Sequence, residues 1–212
     1  MFNCEIIFEG FMRALDLFCG GGGAGMGLHQ AGFEVVGVDI FDQPKYPFEF
    51  IKADALKYPL KGFDFVWASP VCKKFSSATK TAGTSDNWPD QITPLRKRLK
   101  RWGGNWAIEN VGGSPLIDPI MLCGAMFGLR LYRHRFIETS KPINQPSHPT
   151  HKNKVCKMGR PPKRDEFINP VGHFSGVAIV QKAMDIDWLG QKELAQAIPP
   201  AYSEYVARAF KG

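Results

Sequence analysis

Three places in this 212-residue sequence put reactive side chains where chemistry can use them. Cys72 stands in Ser69-Pro70-Val71-Cys72-Lys73-Lys74, directly after the apolar run 63–68. Two adjacent ammonium groups favour a thiolate, so this cysteine is expected to have a lowered pKa and to act as a nucleophile. The competing reading is a buried, inert thiol. Glu109 closes a second apolar run, 105–110, beside Asn110 and ahead of Gly112-Gly113. A carboxyl at the end of a buried strand suits proton donation or hydrogen bonding, and a solvated strand-end acid has the same signature. Arg133 and Arg135 alternate, so on a strand both side chains share one face. Two guanidiniums there suit a phosphate or a carbonyl oxygen; an exposed basic strand is the plainer reading.

A ligand-binding turn precedes all of them. The stretch 14–40 reads as a strand over 14–18, a glycine loop over 20–23, a helix over 26–31 ended by Gly32, and a strand over 33–38 with Asp39 at its end. Gly20, Gly22 and Gly25 satisfy GxGxxG, and Asp39 lies 39 − 20 = 19 residues on, where a ribose-binding acid belongs. A dinucleotide and S-adenosylmethionine both fit that pattern. Asp16 favours the second. Its carboxylate sits just before the loop and would repel a pyrophosphate, whereas S-adenosylmethionine carries an ammonium and a sulfonium. A tight turn with no ligand is the remaining alternative.

The rest of the chain must frame these groups. Prolines 44 and 47 mark a turn, 48–52 reads as a third strand ending at Asp54, 63–68 as a fourth and 105–110 as a fifth. Between the last two lie a polar loop and an amphipathic helix over 91–102, with Arg96, Lys97, Arg98, Lys100 and Arg101 as a basic face. A helix to Gly128, a strand through 130–138, an irregular surface segment over 141–165, a short strand within 171–180 and a helix–Pro199-Pro200–helix tail are expected. Strand-then-helix order implies a mostly parallel sheet with helices on both faces. The expected division is an α/β catalytic and cofactor-binding domain over 12–140, a small basic segment over 141–189 and a C-terminal return over 190–212.

Length and a hydrophobic content of 44% suit one folded domain with a core. The formal net charge of +7 favours a polyanionic partner. No apolar run approaches a membrane span, and residues 1–11 lack a signal-peptide pattern. Met12 directly precedes the first strand, so 1–11 reads as an extension. Five scattered cysteines imply reduced thiols and a cytoplasmic setting. His148, His151 and Cys156 match no strong zinc spacing, and no metal is expected.

The ordered set LDLFCGGGGAG, SPVC, ENV, RHR and IPPAY resembles the DNA cytosine C5-methyltransferases, over about 12–210 apart from 141–170. The resemblance implies a Rossmann-like, S-adenosylmethionine-dependent α/β fold with a very small target-recognition region, of a compact phage or bacterial type. It implies a monomer acting on double-stranded DNA. Asp16, Phe18, Gly20 and Gly22 would hold S-adenosylmethionine together with Ile40, Ala55, Ser69 and Pro70. Asp39 would take the ribose hydroxyls and Asp54 the adenine amino group. Cys72 would add to C6 of cytosine, Glu109 would hold or protonate N3, Arg135 would contact O2, and Arg133 would help place the loop or a phosphate. Lys73, Lys74, Ser76 and the helix 91–102 would hold the DNA backbone. Apart from the resemblance, Arg160, Lys163 and Arg164, in KMGRPPKR (157–164), read as a minor-groove hook, with a solvated basic loop as the plainer reading. The sequence departs from the family pattern at Val71 and Lys73, where Pro and Gln are expected, and at 198–202, where a Gly-Asn pair is expected. An impaired DNA-binding module and an RNA cytosine C5-methyltransferase are the alternatives.

Overall fold

The computed structural model describes residues 12–157 and 159–211. The expected extension 1–11 and Met158 of the 157–164 motif lie outside the described residues. Strands β1 (Arg13–Leu17), β2 (Glu34–Asp39), β3 (Glu49–Lys52), β4 (Phe65–Ala68), β5 (Asn105–Asn110), β6 (Ile120–Leu122) and β7 (Arg135–Thr139) form one sheet. Its order is β3-β2-β1-β4-β5-β7-β6. The first five strands run parallel, and β7 is antiparallel to both β5 and β6. Order reverses at β1, so the crevice outside its carboxyl end is where an open α/β sheet binds ligands.

Alternation along the buried strands explains the two faces. Ala14, Val35, Phe65, Trp67 and Ala107 pack on one side beneath α1 (Gly23–Gln30) and α6 (Pro200–Arg208). Leu15, Leu17, Val36, Val38, Val66 and Ile108 pack on the other, against Ile92, Leu95 and Leu99 of α3 (Ile92–Trp102). The short helix α2 (Ser77–Thr81) lies in the loop after β4. A third, smaller core gathers Leu131, Ile168, Phe174, Val180, Met184 and Leu194, with α4 (Val177–Met184) and α5 (Gln191–Leu194).

Three local expectations are corrected. The helix leading to Gly128 is instead β6 followed by a single turn over Gly124–Phe127, because glycines at 124 and 128 leave no room for more than one turn. The strand expected within 171–180 is the start of α4. Val177, Ile179 and Val180 have strand propensity, but burial at Val180, Ala183 and Met184 follows helical spacing, so packing overrides propensity. The strand expected over 130–138 starts only at Arg135, and Arg133 sits outside it with φ 29°. No helix among the described residues is long and apolar enough to cross a membrane.

Candidate active site

The glycine loop combines two kinds of glycine. Gly20 (φ 49°) and Gly22 (φ 84°) adopt left-handed backbone, and a Cβ on Gly20 would meet nothing within 4 Å, so the loop is open on that side. Gly21 and Gly23 serve packing instead. A Cβ there would lie 2.6 Å from Leu189 and 2.3 Å from the Ile198 carbonyl oxygen. The Trp188 indole N–H donates to the Gly21 carbonyl at 2.8 Å. Phe18, just before the loop, also has positive φ (58°), a strained state that persists only where its surroundings enforce it.

Asp16 is fully buried below this loop. Its Oδ2 accepts from the Tyr46 hydroxyl at 3.1 Å, and its Oδ1 has no partner among the described residues. Burial pushes its carboxyl well above the usual range, and nearby Asp39 adds to that against the Tyr46 hydrogen bond. An orphaned acceptor at this depth calls for a cation or donor. Asp39 holds the loop by accepting from the Gly20 N–H and the Phe41 N–H, each at 3.0 Å, and a carboxylate keeps lone pairs for two hydroxyls beyond these. Ile40 and Phe41 stand 59% and 73% exposed beside it, an open apolar surface. Asp54 caps a turn at the Leu56 N–H (2.9 Å) and pairs with Lys57 at 3.3 Å, and Ala55 is buried behind it. An acid for an ammonium, an acid for a ribose and an apolar ledge for a flat base together fit S-adenosylmethionine.

Cys72 opens a single turn over Cys72–Lys74 after β4 and is partly buried. Its loop is pinned from two directions. Asn110 Nδ2 donates to the Pro70 carbonyl at 2.9 Å, and Val71 N–H donates to Gln91 Oε1 at 3.0 Å. Val71 has φ −53°, within the range a proline ring imposes. The residue that replaces proline therefore keeps a proline-like backbone and has its extra N–H satisfied. Neither Asn110 nor Gln91 stands out in the sequence as a site residue. Asn110 is visible only as the neighbour of Glu109, and Gln91 carries no signal.

Burial pushes the Cys72 thiol above its ordinary value, Glu109 pushes it further, and Arg135 and then Arg133 pull it back. The expected lowering by Lys73 and Lys74 is corrected. Lys73 lies over the Trp88 ring at 3.9 Å, and Lys74 pairs with Asp86 at 2.8 Å. The guanidiniums across the crevice act on the thiol instead. Glu109 is buried, with Oε1 3.0 Å from Arg135 Nε. Burial raises its carboxyl, partly offset by Arg135, by the Ser69 hydroxyl and by Arg133. The Ser69 hydroxyl hydrogen-bonds Glu109 and accepts from the Trp67 indole at 2.9 Å.

Arg133 and Arg135 do not share a strand face. Arg133 is buried, donating to the Pro170 and Ala195 carbonyls at 2.9 Å each, while the Tyr202 hydroxyl holds its own carbonyl at 2.9 Å. Burial lowers it to about 9, with Arg135 adding to the effect. Its Nε has no partner among the described residues. Arg133 is thus an internal brace between the small core and the crevice rather than a phosphate contact.

The basic surface is thinner than the sequence suggests. Arg96 is buried on Glu138, with contacts of 2.6–2.9 Å, and Arg98 donates to the Ala55 carbonyl at 3.1 Å. Of that helix's basic residues, only Lys97, Lys100 and Arg101 are exposed. The hook reading of Arg160 is corrected: its guanidinium grips Glu166 at 2.5 and 2.7 Å and holds that carboxyl down at about 2. Lys163 and Arg164 remain exposed. Ser76 accepts through its carbonyl from the Thr79 hydroxyl at 3.0 Å. Cys123, His134, His148 and His151 bring ligand atoms within 4.8 Å of one another, without Cys156.

No protein-family model matches the sequence, and a search of curated proteins finds no relative. Solved structures do share the fold. The Dnmt2 methyltransferase of S. pombe superposes with a TM-score of 0.63 at 12% identity, over 95% of this chain and 99% of that one. The methyltransferase EhMeth of Entamoeba histolytica gives 0.58 at 13% identity, over 96% and 99%. The chain thus has a Rossmann-like methyltransferase fold.

Proposed function

We propose that this protein transfers a methyl group from S-adenosylmethionine to C5 of a flipped-out cytosine in double-stranded DNA, acting as a monomer through a covalent bond from Cys72 to C6. One observation carries the reading. A thiol, a buried carboxyl and a guanidinium meet at the ends of β4, β5 and β7, beside a crevice with an acid suited to an ammonium.

Each residue then has a task. Asp16 receives the ligand's ammonium through its orphaned oxygen. Asp39 takes the ribose hydroxyls, Asp54 the adenine amino group, and Ile40 covers one face of the base. When bound, S-adenosylmethionine supplies the methyl group. Cytosine C5 is a poor nucleophile until a thiolate adds to C6. Glu109 is raised toward protonation by burial, so it can hydrogen-bond N3 as a donor and draw charge from the ring. Arg135, tied to Glu109, reaches O2. Loss of the C5 proton then expels the thiolate and restores the ring. Inside a duplex C6 is stacked, so the base must leave the helix first. Lys163 and Arg164, both exposed, give the backbone sparse basic contacts.

The Val71–Gln91 bond speaks against a disabled binding module, because the loop keeps its shape without proline. Tritiated methyl donor is incubated with the protein and duplex DNA, beside Cys72→Ser, with RNA as competitor. Label on DNA that needs Cys72, and a covalent adduct on a 5-fluorocytosine duplex, is expected. Label independent of Cys72, or none on either polymer, overturns the reading; label on RNA alone replaces DNA as substrate.

A further inference from the structure

We propose that Cys123, His134, His148 and His151 bind one zinc-class divalent ion, and that this ion pins the segment 141–157 to the edge of the sheet. The four side chains come from three separate places. Cys123 is the extended residue directly after β6, His134 directly precedes β7, and His148 and His151 lie three residues apart in the irregular segment. Their ligand atoms all lie within 4.8 Å of one another.

Three of the six spacings match those of ligands around a metal. His134 Nε2 is 3.3 Å from His148 Nε2, His148 Nε2 is 3.1 Å from His151 Nε2, and Cys123 Sγ is 3.4 Å from His151 Nε2. A tetrahedral ion held at about 2.05 Å by nitrogen and about 2.3 Å by sulfur sets edges of roughly 3.3 Å and 3.6 Å. Hydrogen bonding alone does not satisfy this arrangement. His148 Nε2 faces two other ring nitrogens, and one ring nitrogen offers either one proton or one lone pair. A cation that takes every lone pair resolves the conflict.

Supporting contacts hold the ligands in place. Tyr132 stacks on His151, centroids 3.5 Å apart at 14°, and its hydroxyl both donates to the Asn153 carbonyl (2.9 Å) and accepts from the Asn153 N–H (3.1 Å). Such contacts orient metal ligands. The segment itself buries almost nothing: residues 147–155 are exposed. A metal supplies the cross-link that a core does not.

Thiolate and imidazole select zinc-class ions over magnesium or calcium. Four protein ligands leave no open position, so the ion is structural. On binding, the Cys123 thiol releases its proton to solvent and the sulfur–metal bond forms, with no redox step. Arg135 Nη1 donates to the His134 carbonyl at 2.8 Å, so the ion also steadies the backbone beside the crevice.

The test does not depend on activity. The full chain is produced in zinc-supplemented medium, its metal content measured by mass spectrometry, and the metal then exchanged for cobalt. About one zinc per chain, tetrahedral cobalt bands and a thiolate-to-cobalt charge-transfer band are expected. The double variant His148→Ala/His151→Ala alters exposed residues, so it should fold by circular dichroism yet lose the metal and the bands. Cys123→Ser should lose the charge-transfer band, and Cys156→Ser should keep it. A chain that stays metal-free and gives no cobalt bands overturns the proposal. So does undiminished binding by the double histidine variant, or a charge-transfer band that follows Cys156.

Discussion

Cys72 and Cys123 carry the same functional group in two kinds of surroundings. Burial raises both thiols above their ordinary value. Cys72 then faces a carboxyl and two guanidiniums, whereas Cys123 faces three imidazoles. The two settings nearly touch, because Arg135 belongs to one and its neighbour His134 to the other. A guanidinium cannot ligate a metal but can stabilise an anion, and an imidazole can do the first. If the two proposed roles hold, the neighbours and not the shared upward shift separate a nucleophile from a ligand.

The largest break in that contrast is at the sulfurs. Cys72→Ser should reduce methyl transfer by about a thousandfold or more and abolish adduct formation on a 5-fluorocytosine duplex, while Cys123→Ser still forms the adduct. Gel analysis of the adduct checks both. Next comes the acid. Glu109→Gln keeps the shape but not the ionisable proton, and turnover should fall about 10²–10⁴-fold, measured with tritiated donor.

Removing the cation sharpens the electrostatic side. Arg135→Ala leaves Glu109 buried without its partner and should cost at most about 3 kcal/mol, read from chemical denaturation. The carboxyl escapes part of that cost by taking a proton. A group whose folded pKa is raised favours the fold at low pH and loses that contribution as pH rises through the folded value. The variant's deficit should therefore grow with rising pH. The thiol follows its own direction. Site-resolved iodoacetamide labelling of Cys72 should have a midpoint above the roughly 8.5 of a free thiol. Glu109→Gln should lower that midpoint and Arg135→Ala should raise it. Lys73→Ala and Lys74→Ala should leave it in place, since both ammonium groups are engaged elsewhere.

The smallest effect tests the loop. Gln91→Ala leaves the Val71 N–H without its acceptor and should cost about 0.5–1 kcal/mol. Val71→Pro removes the orphaned donor at a compatible φ, so adding it to Gln91→Ala should restore thermal stability. A double variant less stable than Gln91→Ala would show that the loop is not proline-like.

Local chemistry alone makes much of this protein legible. Apolar runs broken by glycine and proline mark β1, β2, β4 and β5, because a buried parallel strand is nearly continuously apolar and must end where the backbone turns. The Gly20 and Gly22 turn, Asp16 before it and Asp39 after β2 follow from the same rule. What the run of residues does not contain is direction. Lys73 and Lys74 adjoin Cys72 in the chain yet turn to Trp88 and Asp86, while Arg135, 63 positions on (135 − 72), faces the thiol. Arg96 and Arg160 read as basic surface and are ion-paired with acids far along or folded back. The histidines at 148 and 151 lack a recognisable ligand spacing because their proposed partners come from elsewhere in the chain, Cys123 just after β6 and His134 just before β7. Periodicity and turn chemistry act over a few residues and can be read from the chain. Charge pairing and ligand convergence depend on distance through space, so tertiary packing alone decided them.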